Sequence, residues 1–235
     1  MRQLLPVPLD PADPAEVYGD LPTAAGRPGV RLNMIASVDG ATTVAGVSGG
    51  LGGAADHELF GVLRSLADVV LVAAGTVRAE GYRPSRVPVA VVTRSCRLDW
   101  DAPFFSAQIA RPVVVTVTAA PAEARARAAE VADVVLAGEH DVDLARVLGA
   151  LGGRGAAAVL AEGGPSLNGQ LARAGLLDEL CLTLSPRLVG GFGKRILEGS
   201  TLPAPRELRL HTLCEQDGFL FLRLRPAPPA GAELQ

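Results

Sequence analysis

The stretch 156–171 constrains the possible fold more than any other part of this sequence. It reads AAAVLAEGGPSLNGQL, an apolar run followed by Glu162, a Gly-Gly-Pro turn and leucines at roughly helical spacing. Such an order predicts a strand, a tight glycine turn and a helix. Pro165 suits the first position of that helix, and the free N–H groups of such an end suit a phosphate. Taken alone, the stretch is equally typical of an ordinary strand-to-helix connection and of a nucleotide site.

Apolar runs and helical stripes alternate along most of the chain. Together they predict an α/β fold with a mostly parallel central sheet, flanked by helices and closed by an antiparallel C-terminal hairpin around Asp217-Gly218. The predicted strands cover residues 30–37, 68–73, 87–92, 112–117, 134–137, 156–160 and 179–185, the predicted helices cover 54–66, 122–132, 142–151 and the segment after Pro165, and the hairpin covers 206–214 and 219–225.

Residues 1–29 differ from the remainder because they are rich in proline and alanine and show no sustained periodicity. We interpret them as an N-terminal arm with one helical turn around 14–18, lying over the domain or partly disordered. Since no linker is evident after residue 29, residues 30–235 are predicted to form one domain.

Composition excludes several classes of function. The chain has 235 residues, 49% of them hydrophobic and 20% charged, with a formal net charge of −3 and no cluster of basic residues. Nucleic-acid binding is therefore disfavoured. Its three cysteines and three histidines are scattered, so we expect neither a disulfide framework nor a metal site. Neither a signal peptide nor a run of membrane-spanning length is evident, which predicts a soluble, cytoplasmic protein.

Polar and glycine residues follow several of the predicted strands. Because ligands of open α/β sheets bind outside the carboxyl ends of the strands, these residues predict one rim for a dinucleotide. Each group also has a structural interpretation: Asp39-Gly40 as a turn, Gly75-Thr76 as a helix N-cap, and Arg94-Ser95 as a solvated loop. Glu162 directly follows an apolar strand, so its carboxylate needs a partner or a polar ligand. The rim comprises Ser37, Asp39, Gly40, Gly75, Thr76, Arg78, Thr93, Arg94, Ser95, Glu162, Gly163, Gly164, Ser166, Pro186 and Arg187.

In combination, these motifs resemble the reductase domain of riboflavin biosynthesis, the RibD C-terminal domain family, which has a dihydrofolate reductase-like fold. The similarity covers the chain from about residue 30 to its C-terminus. It is carried by Asn33-x-x-x-Ser37-x-Asp39-Gly40, Gly75-Thr76-Val77-Arg78-Ala79-Glu80, Glu162-Gly163-Gly164-Pro165-Ser166-Leu167, Leu176-x-Asp178-Glu179-Leu180 and Ser185-Pro186-Arg187-Leu188-Val189-Gly190-Gly191.

This resemblance implies an oxidoreductase similar to 5-amino-6-(5-phosphoribosylamino)uracil reductase. NADPH would be the hydride donor, the ribosyl group of a phosphoribosylamino-pyrimidine would be reduced to ribityl, and the chain would form a homodimer. The implied cofactor-binding residues are Gly75, Thr76, Gly163, Gly164, Ser166 and Leu167, with Thr93, Arg94 and Ser95 at the 2′-phosphate. The implied substrate-binding residues are Asn33, Ser37, Asp39 and Glu162, and we hypothesise that Asp39 or Glu162 also assists proton transfer to the sugar ring oxygen.

The sequence departs from the bifunctional bacterial enzymes in three places. It lacks the zinc deaminase signatures, so no deaminase activity is expected. Asn33 replaces a lysine of the first motif, and Glu80-Gly81-Tyr82 replaces an Asp-Asp-Pro segment. Two alternatives therefore remain: a related reductase acting on dihydrofolate or another pterin, and a non-catalytic nucleotide-binding module.

Overall fold

The computed structural model describes residues 1–228, which form a ten-stranded sheet with helices on both faces. Its strands are β1 (Arg2–Leu5), β2 (Gly29–Ser37), β3 (Val69–Ala73), β4 (Val89–Val92), β5 (Val113–Thr116), β6 (Asp133–Leu136), β7 (Ala158–Ala161), β8 (Glu179–Ser185), β9 (Leu208–Gln216) and β10 (Phe219–Pro226). Its helices are α1 (Pro14–Tyr18), α2 (Ala54–Ser65), α3 (Ala74–Glu80), α4 (Pro103–Ser106), α5 (Ala122–Val131), α6 (Leu144–Gly152) and α7 (Pro165–Arg173).

The strand order is β1-β9-β10-β8-β2-β7-β3-β4-β5-β6. The seven strands from β2 to β8 all run parallel to one another. Strands β10, β9 and β1 add antiparallel neighbours at one end of the sheet. This arrangement confirms the predicted α/β class, the mostly parallel sheet and the C-terminal hairpin. Most predicted elements lie within a few residues of their observed bounds, and the predicted strand 179–185 coincides with β8.

Two apolar cores lie on opposite faces of the sheet. The central strands are buried on both faces, as their almost continuous apolar sequences require. One core contains Leu59 and Leu63 of α2 with Phe105 of α4, and the other contains Leu148 of α6 with Leu171 of α7. On β8 and β10, by contrast, buried and half-buried residues alternate, so one face of this end of the sheet is less covered than the other.

The N-terminal segment contains the predicted helical turn, α1, and also a strand that was not predicted. Strand β1 pairs antiparallel with β9, and Tyr18 is buried at 1% exposure. A four-residue edge strand is too short to show an alternating pattern, which is why the sequence did not reveal it. Residues 1–29 thus contribute to the sheet; the proposed domain boundary at residue 30 stays a prediction.

None of the helices in residues 1–228 is long and apolar enough to cross a membrane.

Candidate functional site

A cleft of about 1660 Å³ opens at the carboxyl ends of β2, β7, β3 and β4. Parallel neighbours end at the same edge of a sheet, so the loops that follow them meet there. The structure thereby brings together most of the predicted site residues, although they come from distant parts of the chain. The predicted residues that line the cleft are Asn33, Gly75, Thr76, Arg78, Thr93, Arg94, Ser95, Glu162, Gly164, Ser166 and Leu167.

The Gly163-Gly164 turn joins β7 to α7 and meets the start of α3. Gly163 has φ +85°, a conformation that favours glycine, and its carbonyl accepts a 2.7 Å hydrogen bond from the Ala73 amide. A Cβ atom at Gly164 would lie 2.8 Å from the Thr76 hydroxyl, so the backbone approaches α3 more closely than any other residue would allow. Gly163 itself is not among the lining residues, but it holds this turn against β3.

The N-termini of α3 and α7 both lie at the cleft. No side chain caps either terminus, and Gly75, Thr76 and Ser166 occupy the first turns. Gly75 and Thr76 therefore lie inside the helix. The structural alternative that the sequence suggested, an N-cap formed by these residues, is not what the structure shows. First-turn N–H groups together with the helix dipole suit a phosphate oxygen.

Arg94 lies in the loop after β4, at the far end of the cleft. Its guanidinium donates a 3.0 Å hydrogen bond to Asp141, and both side chains are largely exposed. An exposed pair of this kind is weak, so a ligand phosphate can displace the carboxylate. Thr93 is buried and its hydroxyl accepts from the Cys96 amide at 3.1 Å, which shapes the loop that carries Arg94 and Ser95.

Glu162 has protein partners that the sequence did not identify. Arg64 of α2 donates two 2.7 Å hydrogen bonds, one to each carboxylate oxygen, and the Tyr82 hydroxyl donates a third. Burial, and then the neighbouring carboxylate, raise the pKa of Tyr82 well above its ordinary value, so the phenol stays a donor. The sequence gives no sign of these contacts, because Arg64 lies in an ordinary helix that is distant from Glu162 along the chain. Glu162 is thus a fixed hydrogen-bond acceptor at the cleft.

Asp39 and Ser37 are not among the residues that line the cleft, and their contact with the substrate stays a prediction. The Asp39 carboxylate accepts hydrogen bonds from the Ser37 hydroxyl at 2.5 Å, from the Gly190 amide at 2.7 Å and from the Val189 amide at 3.2 Å. These bonds lower the pKa of Asp39 to about 2. Because β2 and β8 are neighbours with Ser37 opposite Ser185, the loops after both strands meet, and Asp39 joins them.

Among residues 1–228, no group of three or more histidine, cysteine or acidic side chains could hold a metal ion.

The chain matches the family model described as the RibD C-terminal domain over residues 28–218. It is 34% identical over 182 residues to the 2,5-diamino-6-ribosylamino-4(3H)-pyrimidinone 5′-phosphate reductase of Methanothermobacter thermautotrophicus, covering 73% of this chain and 83% of the relative. The Aquifex aeolicus protein of the same name is 30% identical over 186 residues, covering 74% and 83% respectively.

Among solved structures, the chain is similar to a pyrimidine reductase-like protein from Corynebacterium diphtheriae, with a TM-score of 0.81 and 26% identity. The alignment covers 92% of this chain and 100% of that one. Together with the order of the motifs around the cleft, these similarities show that the chain belongs to the RibD C-terminal domain family.

Proposed function

We propose that this chain is an NADPH-dependent reductase that converts the ribosyl group of a phosphorylated 2,5-diamino-6-ribosylamino-pyrimidinone to a ribityl group. The observation that carries the proposal is the single cleft in which four predicted motifs meet. The relatives named for this reaction support the choice of substrate. Their substrate has a 2-amino group where the uracil compound suggested by the resemblance has an oxygen.

The cleft fits a dinucleotide together with a second ligand. Its volume of about 1660 Å³ exceeds the roughly 300–1,000 Å³ typical of one small-molecule site. The start of α7 beside Thr76 suits a pyrophosphate, because Gly164 leaves no Cβ between ligand and backbone. Arg94 at the end of β4 suits the 2′-phosphate that distinguishes NADPH from NADH.

In the proposed reaction, C1′ of the sugar gains a hydride, its bond to the ring oxygen breaks, and that oxygen gains a proton. Bound NADPH supplies the hydride. Glu162 orients a donor group of the ligand, since three of its roughly four acceptor positions are occupied by Arg64 and Tyr82 and one on Oε1 remains open. The protein positions the ligands and excludes water, while Asp39 supports the loop at 189–190.

The test follows the absorbance of NADPH with the diaminopyrimidinone phosphate and, separately, with dihydrofolate. We expect oxidation with the former and faster turnover with NADPH than with NADH. Preferential oxidation with dihydrofolate would instead favour the pterin reductase, and tight NADPH binding without turnover on either compound would favour the non-catalytic module. Glu162→Gln should lower turnover by roughly 10²-fold, because its ligand loses an oriented carboxylate.

We also propose that the chain forms a homodimer through the less covered face of β8, β10 and β9. Leucines of adjacent strands pair there, with Leu222 opposite both Leu182 and Leu213. All three leucines are half-buried on the less covered face of the sheet. An apolar surface of this kind is typical of a protein–protein interface. A second copy of the same face is self-complementary and fits a twofold interface.

The cytoplasmic location of the protein stays a prediction.

A further inference from the structure

Asp56 is a cleft carboxylate that the sequence analysis did not single out. It lies in the first turn of α2, lines the cleft beside His57 and is half-buried. A Cβ atom on Gly52 would come within 2.9 Å of one Asp56 oxygen, so the chain folds closely over this side chain. The hydroxyl of Thr183 on β8 lies close enough to lower the pKa of the Asp56 carboxyl.

Among residues 1–228, three acidic residues at the cleft have no ion-pair partner, and of these Asp56 is the one beside β8; the other two are Glu80 and Glu198. Glu162 is bound by Arg64, Asp141 by Arg94, and Glu80 accepts a 2.9 Å hydrogen bond from the Ser48 amide. The ion pairs of the described residues include none at Asp56. A half-buried carboxylate without an ion-pair partner lacks the hydrogen-bond donors that would offset the cost of its desolvation.

The surroundings of Asp56 favour a ligand with hydrogen-bond donors. Burial raises the pKa of its carboxyl, while the Thr183 hydroxyl and His57 act in the opposite direction. Within residues 1–228, His57 on the same helix is the titratable group whose charge acts on Asp56; β8 contributes the neutral Thr183, and the preceding loop contributes Gly52. Two N–H groups side by side would stabilise the ionised form by charge-assisted hydrogen bonds.

Position along the sheet assigns Asp56 to the substrate end of the cleft. The phosphate-binding features follow β7, β3 and β4, whereas Asp56 packs beside β8, on the other side of β2. The substrate named for the relatives, a 2-amino-4(3H)-pyrimidinone, carries an N3–H group next to its 2-amino group. These two donors form a fork that matches a carboxylate, as a guanidinium does. A uracil presents a carbonyl oxygen at C2 instead, which a carboxylate repels.

We infer that Asp56 binds the N3–H and 2-amino edge of the pyrimidinone, oriented by Thr183, and so makes the enzyme selective for 2-amino-pyrimidinones over uracils. This inference rests on the proposed function, whose substrate class it explains. It also accounts for Gly52, since any side chain there would displace the carboxylate.

The test compares Asp56→Asn with Glu58→Gln, a neighbouring acid on the same helix that is exposed and does not line the cleft. For each protein, kcat/KM is measured with the diaminopyrimidinone phosphate and with its uracil counterpart. We expect Asp56→Asn to lose roughly 10- to 100-fold with the former and little with the latter, because an amide can face either edge. Glu58→Gln should behave as wild type, and the Kd for NADPH should be unchanged in both.

A second measurement follows the Kd of the ribitylated diaminopyrimidinone product against pH. Binding needs the ionised carboxylate, so it should weaken as the pH falls through the raised pKa of Asp56. The step should persist in His57→Gln and vanish in Asp56→Asn. Thr183→Val should reduce selectivity in the same direction but less, which covers the case in which Asp56→Asn does not fold.

The outcomes separate this inference from the proposed function. If wild-type protein reduces the diaminopyrimidinone phosphate while Asp56→Asn and Thr183→Val keep its selectivity, the assignment of Asp56 is refuted and the proposed function stands. If wild-type protein reduces neither pyrimidine, both are refuted.

Discussion

Replacing Glu179 with glutamine should destabilise the protein severely, because this carboxylate neutralises a buried cluster of arginines. Glu179 has no exposed side-chain surface, and Arg31 and Arg223 are 4% and 1% exposed. Arg31 Nε and Arg223 Nη2 each lie 2.7 Å from a carboxylate oxygen, and Arg225 Nε lies at 2.9 Å. The cluster also holds the N-terminal segment, since Arg31 donates to the carbonyl of Tyr18 at 2.8 Å.

Removal of one member of a buried charge pair costs about 3–5 kcal/mol. Arg31 would lose its ion-pair partner, whereas Arg223 and Arg225 would keep Asp20 as theirs. The amide oxygen of a glutamine keeps part of the hydrogen bonding, so we expect about 3 kcal/mol for Glu179→Gln. For a chain of this size, Tm should fall by roughly 6–12 °C. The loss is large beside the ~5–15 kcal/mol that stabilises most domains.

Urea unfolding followed by circular dichroism measures this loss. The control is Glu215→Gln, which breaks an exposed pair with Arg2 and should cost below about 1 kcal/mol. A cost for Glu179→Gln as small as that of the control would refute the view that this buried cluster holds the sheet and the N-terminal segment together.

The difference in stability between wild type and Glu179→Gln should depend on pH. Burial acts to raise the pKa of Glu179, but the three arginines outweigh it and the pKa is lowered. The stability that Glu179 contributes is therefore present above the ordinary glutamate pKa and is lost as the pH falls below it. The difference between wild type and Glu179→Gln should consequently shrink under acid conditions.

Three further changes probe the cleft and the proposed dimer. Tyr82→Phe removes one donor from Glu162 and should lower kcat by about 10-fold with a smaller effect on KM, as steady-state kinetics will show. Arg94→Ala should weaken NADPH binding by roughly 10- to 100-fold and leave NADH binding unchanged in a fluorescence titration; equal losses would contradict a 2′-phosphate site. Leu222→Asp should yield monomers in light scattering, whereas Leu136→Asp, exposed on the opposite edge strand β6, should keep the assembly of the wild type.

The order of secondary structure elements could be predicted because its signals are local. Strand β8 alternates buried and half-buried residues over seven positions, and Pro165 and the preceding glycines mark the start of α7. The cleft could be anticipated from topology, since parallel strands end at one edge. Strand β1 was missed because its four residues form by pairing with β9, which lies near the other end of the chain.

Individual side chains at the cleft could not be placed in the same way. The sequence predicted that Glu162 needs a partner, but Arg64 and Tyr82 come from other loops and helices, and nothing local marks them. The hydrogen bonds from the amides of the loop after β8 to the Asp39 carboxylate were likewise not visible in the sequence.

The sequence by itself determined the alternation of strands and helices, the glycine turn at 163–164 and the family, because periodicity, backbone freedom and motif order are properties of neighbouring residues. Only the tertiary structure decided which charges are neutralised and which remain available to a ligand. Burial and pairing depend on contacts between distant segments, and those contacts leave Asp56 without a cation while enclosing Glu179 among three.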